Sequence, residues 1–148
     1  MIDKSILIRE SEKRLRKTIS ALDDEIQSLR ESRAADGKSS AGDKHETGRA
    51  MADLELGRLN AQRQKFAKLR ADLMEIKDSK ATSIQLGSVV QTQKGVYFLA
   101  VPLGRVETQG QTVYVISTIS PLGQALLGHS RGDSFVINGV TDRVEHCY

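Results

Sequence analysis

Residues 15–29 read LRKTISALDDEIQSL, and this stretch decides the fold. Its apolar residues recur at alternating steps of four and three: Leu15, Ile19, Leu22, Ile26 and Leu29. That spacing is typical of the a and d positions of a coiled coil, where one narrow apolar stripe packs against another helix. The stretch therefore predicts a long helix that needs a second helix to cover its apolar stripe.

The chain supplies a second helix with a matching stripe: Leu59, Phe66, Leu69, Leu73 and Ile76. Three apolar residues before it fall out of phase, so the stripe is expected to loosen there: Met51, Leu54 and Leu56. No proline interrupts residues 1–81, and a polar stretch, residues 36–47, joins the two segments. The pattern predicts an antiparallel coiled coil over residues 1–80, with arms of about 45 Å for about thirty residues each. Residues 36–47 would form its tip.

The composition changes after about Ser83, where clusters of β-branched and aromatic residues replace the heptads: Val89-Val90, Val96-Tyr97-Phe98, residues 113–116 and residues 135–137. Lys94-Gly95 and Asn138-Gly139 are hairpin signals. Residues 121–128 begin at proline and end at glycine, as a short helix does. Arg131-Gly132-Asp133 is interpreted as a turn before a strand. Residues 84–148 are therefore expected to form a small α+β domain with a short helix.

Bulk composition mainly excludes classes of protein. The chain has no run of eighteen apolar residues, so no membrane span is expected. Its N-terminus lacks the apolar core of a secretory signal, and its single cysteine, Cys147, fits a reducing cytoplasm. The net charge of +3 is too small to argue for nucleic acid by itself. A cytoplasmic protein is expected.

The charges are concentrated in the helical part, which holds 18 Lys or Arg and 15 Asp or Glu within residues 1–80. Folding the hairpin about Gly37–Gly42 brings one set of basic residues level, the basic belt: Lys13, Arg14, Arg16, Lys17, Arg63, Lys65, Lys68 and Arg70. The same folding brings acidic residues level nearer the tip: Asp23, Asp24, Glu25, Asp53 and Glu55. Two interpretations stay open. The belt is a solvated surface with weak ion pairs, or it meets phosphates or an acidic protein channel.

Two acids of the tip, Asp43 and Glu46, also have two interpretations. Ser40-x-x-Asp43 and Asp43-x-x-Glu46 are spaced like capping boxes, in which side chains satisfy free backbone N–H groups. Alternatively, two carboxylates three residues apart project to one side of a first helical turn. Such oxygens suit Mg²⁺, which takes one or two protein carboxylates and finds its other ligands elsewhere. A site of this kind is incomplete until another macromolecule supplies the remaining ligands.

Two motifs resemble the bacterial Gre transcript-cleavage factors. Ala41-Gly42-Asp43-Lys44-His45-Glu46 is similar to the tip of that family, where Gly-Asp is followed by two residues and Glu. Residues 119–128, ISPLGQALLG, with Gly132-Asp133 after them, are similar to its Ser-Pro-[apolar] segment. Order, spacing and total length agree over nearly the whole chain. The resemblance implies an N-terminal antiparallel coiled coil over residues 1–80 and an FKBP-like domain over residues 84–148.

The resemblance also implies a function. Such factors bind RNA polymerase through the C-terminal domain and insert the coiled coil into the secondary channel. There the tip acids help to hold a second Mg²⁺, shared with the polymerase active site, and the polymerase cuts its own backtracked RNA. By position, Asp43 would be a Mg²⁺ ligand and Glu46 a ligand or a group that orients water. The chain would not be an enzyme itself.

Partners follow from the same resemblance. They are RNA polymerase and the nascent RNA in the complex, with DNA met only through that complex. The belt would contact polymerase or nucleic acid through Lys13, Arg14, Arg16, Lys17, Arg63, Lys65 and Lys68. Docking on polymerase would use Ser120, Pro121, Leu122 and Gly123.

The sequence departs from the family pattern after Glu46. The usual Asn-Ala-Glu-Tyr is Thr47-Gly48-Arg49-Ala50 here, and His45 replaces a small polar residue. Two alternatives therefore stay open. One is a secondary-channel regulator that modulates RNA polymerase without cleavage, and the other is a coiled-coil adaptor unrelated to transcription.

Overall fold

The computed structural model describes residues 1–36 and 42–148, except for the side chains of Asp36 and of residues 42–45. The elements follow in the order α1 (Lys4–Asp36), α2 (Gly42–Met74), β1 (Val89–Thr92), β2 (Val96–Ala100), β3 (Gly104–Thr108), β4 (Gln111–Ser117), α3 (Pro121–Leu126), β5 (Ser134–Ile137) and β6 (Val140–Cys147). The predicted fold class is confirmed: two long helices precede a small, mostly antiparallel sheet with one short helix.

The contacts divide the chain into two compact units. One, the helical unit, consists of Arg14–Arg70. The other, the sheet unit, consists of Met1–Lys13 together with Ala71–Tyr148. The first turns of α1 and the end of α2 therefore share a unit with all six strands.

In the helical unit, α1 and α2 pack along the apolar stripe that the heptads predict. Leu22, Ile26 and Leu59 form a buried cluster. Leu29, Leu56 and Phe66 pack against it. Leu56 was expected out of phase, yet it contributes to this cluster, whereas Met51 and Leu54 are 67% and 76% exposed. The stripe therefore loosens only at Met51 and Leu54.

The register of α1 against α2 differs from the expected one. Folding about Gly37–Gly42 placed Asp23 level with Asp53 and Glu55. Instead, the Arg63 side chain donates to Asp23, and Arg33 Nη2 donates to Asp53 Oδ2 at 3.3 Å. Acids on one helix thus lie beside arginines on the other, which removes the like-charge contacts that the expected register implied.

The sheet has the strand order β3-β4-β2-β1-β6-β5. Neighbouring strands are antiparallel except β2 and β4, which are parallel. A buried cluster on one face holds the sheet to α3: Ile84, Val90, Leu99, Leu126, Phe135 and Val144. The alternation of buried and exposed residues along β6 is the period-two pattern of a strand with one covered face.

Three tight turns connect antiparallel strands. Lys94-Gly95 joins β1 to β2, as predicted. Asn138 and Gly139 join β5 to β6 with φ of 52° and 73°, the left-handed pair that a two-residue hairpin requires. Gln109 and Gly110 join β3 to β4 with φ of 49° and 74°, a hairpin that the sequence analysis missed because glutamine is not a usual residue there.

Candidate functional site

The two acids proposed for the metal site lie near the start of α2. Because this helix begins at Gly42, positions 43 and 46 are three residues apart in its first turns. The Glu46 side chain is exposed. The side chains of Asp43 and His45, and the backbone of residues 37–41, lie outside the described residues, so their predicted roles stay predictions.

Glu46 fits a magnesium site in its chemistry. Its carboxylate is accessible and supplies the hard oxygen that Mg²⁺ prefers. The side chains described in residues 1–36 and 42–148 form no cluster of three or more His, Cys, Asp or Glu that could hold a metal ion. A magnesium site at Asp43 and Glu46 remains a prediction.

Ion pairs between the helices and within α2 determine the electrostatics of the helical unit. The hydrogen bond from Arg63 lowers the pKa of Asp23 below its ordinary value of 3.8. On α2, Arg58 Nε donates to Glu55 at 2.9 Å and lowers the pKa of that carboxyl as well. Both acids are about half exposed to solvent (48% for Asp23 and 44% for Glu55), so each bond contributes little to stability. These ion pairs hold the charged side chains at defined positions on the surface of the helices.

The basic belt is divided by these contacts. Arg63 is committed to Asp23. Arg14, Arg16, Lys68 and Arg70 also have interaction partners within the protein. The remaining members, Lys13, Lys17 and Lys65, are exposed and make no ion pair or hydrogen bond with the described residues. These three lysines are the part of the belt available to a partner.

The predicted docking segment, Ser120–Gly123, has a clear role in the fold. Ser120 is the N-cap of α3, and its Oγ accepts from the Gly123 N–H at 3.0 Å. Pro121 occupies the first helical position, and Leu122 packs on the core. Ile119, just before this segment, is 80% exposed. This exposure is not predictable from the sequence, because an apolar residue beside a strand normally suggests burial.

A groove between α1 and α2 was also missed. It has a volume of about 500 Å³, and Leu29 and Leu59 form its apolar floor. The short side chains of Ser28 and Ser32 leave the space open, and acids surround it: Asp24, Glu25 and Glu55. The signal in the sequence is the pair of serines beside the heptad position of Leu29.

Three solved structures show a low similarity to this chain. They are a structure of the transcription factor Gfh1 (TM-score 0.35, 94% of each chain covered), GreA factor homolog 1 of Thermus thermophilus (0.35, 93% and 94%) and Gfh1 of Thermus aquaticus (0.34, 95% of each). Each is 22% identical to this chain. No protein-family model and no curated protein matches the sequence. Over the described residues, no helix combines the length and the apolar character that a membrane span requires.

Proposed function

We propose that the protein is a transcription elongation factor that binds RNA polymerase, inserts its helical hairpin into the secondary channel and stimulates Mg²⁺-dependent cleavage of backtracked RNA. The observation that carries this proposal is the start of α2 at Gly42, which places Asp43 and Glu46 in the first turns of a long paired helix. The Gly-Asp-x-x-Glu and Ser-Pro-Leu-Gly motifs, at the separation seen in Gre factors, support it.

The chemistry of the acid pair follows from its place on the helix. The N-terminal end of a helix favours negative charge, so it helps to keep both carboxylates ionised. Asp43 would bind Mg²⁺ directly, and Glu46 would bind it or orient a water molecule. When bound, the ion stabilises the charge that develops on the attacking and leaving oxygens. Polymerase supplies the remaining ligands, so the chain is a stimulator and not itself a nuclease.

Two other surfaces are assigned to docking on polymerase and to electrostatic steering toward it. The sheet unit would dock on polymerase around Ser120–Gly123, with Ile119 as the exposed apolar contact. Lys13, Lys17 and Lys65 would meet phosphates of the nascent RNA or acidic residues of the channel. Apolar contact and charge steering act together in such interfaces, because steering raises the association rate and apolar burial slows dissociation.

The test is RNA cleavage by stalled, backtracked polymerase complexes with Asp43→Asn, Glu46→Gln and the double variant. These changes keep the side-chain shape but remove the charge that the metal needs. Cleavage is expected to fall by orders of magnitude while copurification with polymerase is retained, and high Mg²⁺ should restore it in part. Asp24→Asn, which removes an exposed acid elsewhere on the hairpin, is the matched control and should cleave normally.

Each alternative function has its own outcome. Normal cleavage by the double variant would overturn the catalytic role of the pair. A wild-type chain that binds polymerase but never stimulates cleavage would be the secondary-channel regulator. A chain that does not copurify with polymerase would be the adaptor.

A further inference from the structure

The sheet unit contains a small polar cavity of about 220 Å³ that belongs to none of the surfaces above. Its lining residues are Gln93, Arg131, Gly132, Arg143, Val144 and Glu145. Two of the four basic residues after residue 80 therefore face one small space. Arg131 and Gly132 belong to the turn that the sequence predicts before a strand, and β5 does begin just after it, at Ser134.

Backbone hydrogen bonds hold the walls of the cavity together. The Gly132 N–H donates to the Val144 carbonyl at 2.8 Å, and the Val144 N–H donates to the Asp133 carbonyl at 2.9 Å. The Gln93 N–H, in the turn between β1 and β2, donates to the Arg143 carbonyl at 3.1 Å. The turn, the loop before β5 and strand β6 are thus fixed to one another, so the cavity is preformed.

The two arginines differ in how they are held. Arg143 Nε donates to the Gly132 carbonyl at 3.2 Å, which orients the guanidinium and leaves its other N–H groups for a ligand. Arg131 is exposed and makes no hydrogen bond or ion pair with any residue that the structure describes. Gly132 has φ of +93°, and a Cβ there would lie 3.9 Å from Arg143 Nη2. At that distance a Cβ would only touch the guanidinium, so the positive φ and not a lack of space favours glycine here.

The nearby acids leave the cavity with a positive balance. Asp133 Oδ2 is used within its own loop, where it accepts from the Ser130 N–H at 2.7 Å. Glu145 lines the cavity and accepts from Gln91 Nε2, on β1, at 3.5 Å. Two arginines therefore face one carboxylate. This arrangement attracts an anion, and Glu145 weakens that attraction.

We propose that this cavity binds a phosphate group. Guanidinium forks match the oxygens of phosphate in pairs, and the Gln93 side chain offers a further donor. No aromatic residue lines the cavity, so it offers no surface for a nucleobase to stack on. Its volume is below the range of about 300–1,000 Å³ of pockets that enclose drug-sized ligands. The site therefore takes the phosphate alone, either inorganic phosphate or the phosphate of a monoester whose other part stays in solvent.

The experiment titrates the full-length chain with inorganic phosphate and with glycerol 2-phosphate, at fixed ionic strength in chloride, by isothermal calorimetry. Saturable binding is expected. Arg131→Gln should weaken it about tenfold or more, the loss of one charge-assisted partner. Glu145→Gln should strengthen it, because the like charge is gone. Lys80→Gln, an exposed cation that does not line the cavity, should change nothing.

The two probes distinguish inorganic phosphate from a phosphate monoester, and some outcomes would overturn the proposal. Equal affinity for both probes is expected if the site contacts the phosphate alone, and weaker binding of the monoester would identify inorganic phosphate as the ligand. Tighter binding of the monoester would overturn the statement that its other part stays in solvent. Arg143→Lys keeps the charge but loses the fork and should weaken binding less than Arg143→Gln. An absence of saturable binding, or binding that Arg131→Gln leaves unchanged, would overturn the proposal. Because Arg131 is exposed and unpaired among the described residues, its loss is not expected to unfold the protein.

Discussion

At position 123, the backbone at the start of α3 approaches the preceding strand so closely that only glycine fits. A Cβ there would lie 2.1 Å from the Ser117 carbonyl oxygen and 2.9 Å from Ser120 Oγ. That Oγ donates to the Ser117 carbonyl at 2.7 Å and accepts from the Gly123 N–H. Part of the Ser-Pro-Leu-Gly motif is therefore explained by local packing, whether or not the segment also contacts a partner.

Gly123→Ala should consequently destabilise the protein by about 1–3 kcal/mol, the usual cost of overpacking. Gly57→Ala is the matched control, because Gly57 lies in α2 and a Cβ there would meet nothing within 4 Å. That change should stabilise the helix by about 0.5–1 kcal/mol. Denaturant unfolding followed by circular dichroism measures both. Equal effects of the two substitutions would contradict the close approach at Gly123.

At the residue scale, the sequence predicts local backbone features but not contacts between residues that are distant in the chain. Pro121 and Gly128 indicated the short helix, which spans Pro121–Leu126 and is followed by Gly128 at positive φ, because helix ends depend on local backbone chemistry. The cavity between Arg131 and Arg143 could not be predicted, because these residues are distant in sequence and meet only through the pairing of β6 with the loop before β5.

At the scale of elements, the heptads predicted two paired helices but not their register. A slide of one helix by a heptad keeps apolar positions facing each other, so apolar spacing alone does not distinguish the two registers. The contacts that do distinguish them are polar: Asp23 with Arg63, and Arg33 with Asp53. The sequence contains these opposite charges, but folding the hairpin about Gly37–Gly42 does not bring them level.

The apolar contact between the helices should be concentrated at the buried cluster. Leu59 is 2% exposed and packs with Leu22 and Ile26, whereas Leu54 on the same helix is 76% exposed. Leu59→Ala should cost about 2–5 kcal/mol, as for other buried leucines. Leu54→Ala should change stability by no more than about 0.5 kcal/mol. Thermal unfolding followed by circular dichroism measures both, and a comparable loss in Leu54→Ala would show that the stripe extends further than described.

A separate prediction concerns how the exposed lysines of the helices bind polymerase. Replacing Lys13, Lys17 and Lys65 with glutamine should weaken binding at low salt, and the difference should shrink at high salt, where exposed charges are screened. The triple change of Lys77, Lys80 and Lys94 to glutamine removes the same charge outside the belt and serves as the control. The measurement is the affinity of the wild type and of both triple variants for polymerase across a series of salt concentrations. Identical salt dependence in the two triple variants would show that the belt is a solvated surface that does not contact polymerase.

At the scale of the whole molecule, both ends of the chain belong to the sheet unit. The Tyr148 hydroxyl donates to the Ile2 carbonyl at 2.9 Å and accepts from the Ile2 N–H at 2.9 Å. Asp3 N donates at 2.9 Å to Oε1 of Gln109, which lies in the turn between β3 and β4. A fragment of residues 84–148 lacks these partners, so it should be less stable than the same residues within the full chain.

Tyr148→Phe tests this link between the termini. It removes both hydrogen bonds to Ile2 and should cost about 1–2 kcal/mol at neutral pH. Tyr114→Phe, at a residue that is 43% exposed, is the control and should stay within about 0.5 kcal/mol of the wild type. Denaturant unfolding of the full-length variants gives both values. Wild-type stability of Tyr148→Phe at neutral pH would show that the bonds to Ile2 contribute nothing.

The pH dependence of the same variant gives an independent check. Burial raises the pKa of Tyr148 above its ordinary value of 10.0, because the partly buried site disfavours the phenolate. A group whose pKa is raised on folding contributes stability that is complete below its unfolded pKa and is lost as the pH rises through its folded pKa. The wild type should therefore lose stability above pH 10.0, and the difference from Tyr148→Phe should narrow there. Tyr97, whose pKa burial also raises, is present in both chains, so its titration cancels from the comparison. A difference that stays constant from neutral pH to well above 10.0 would place the Tyr148 hydroxyl outside the folded-state contacts that hold the two ends of the chain together.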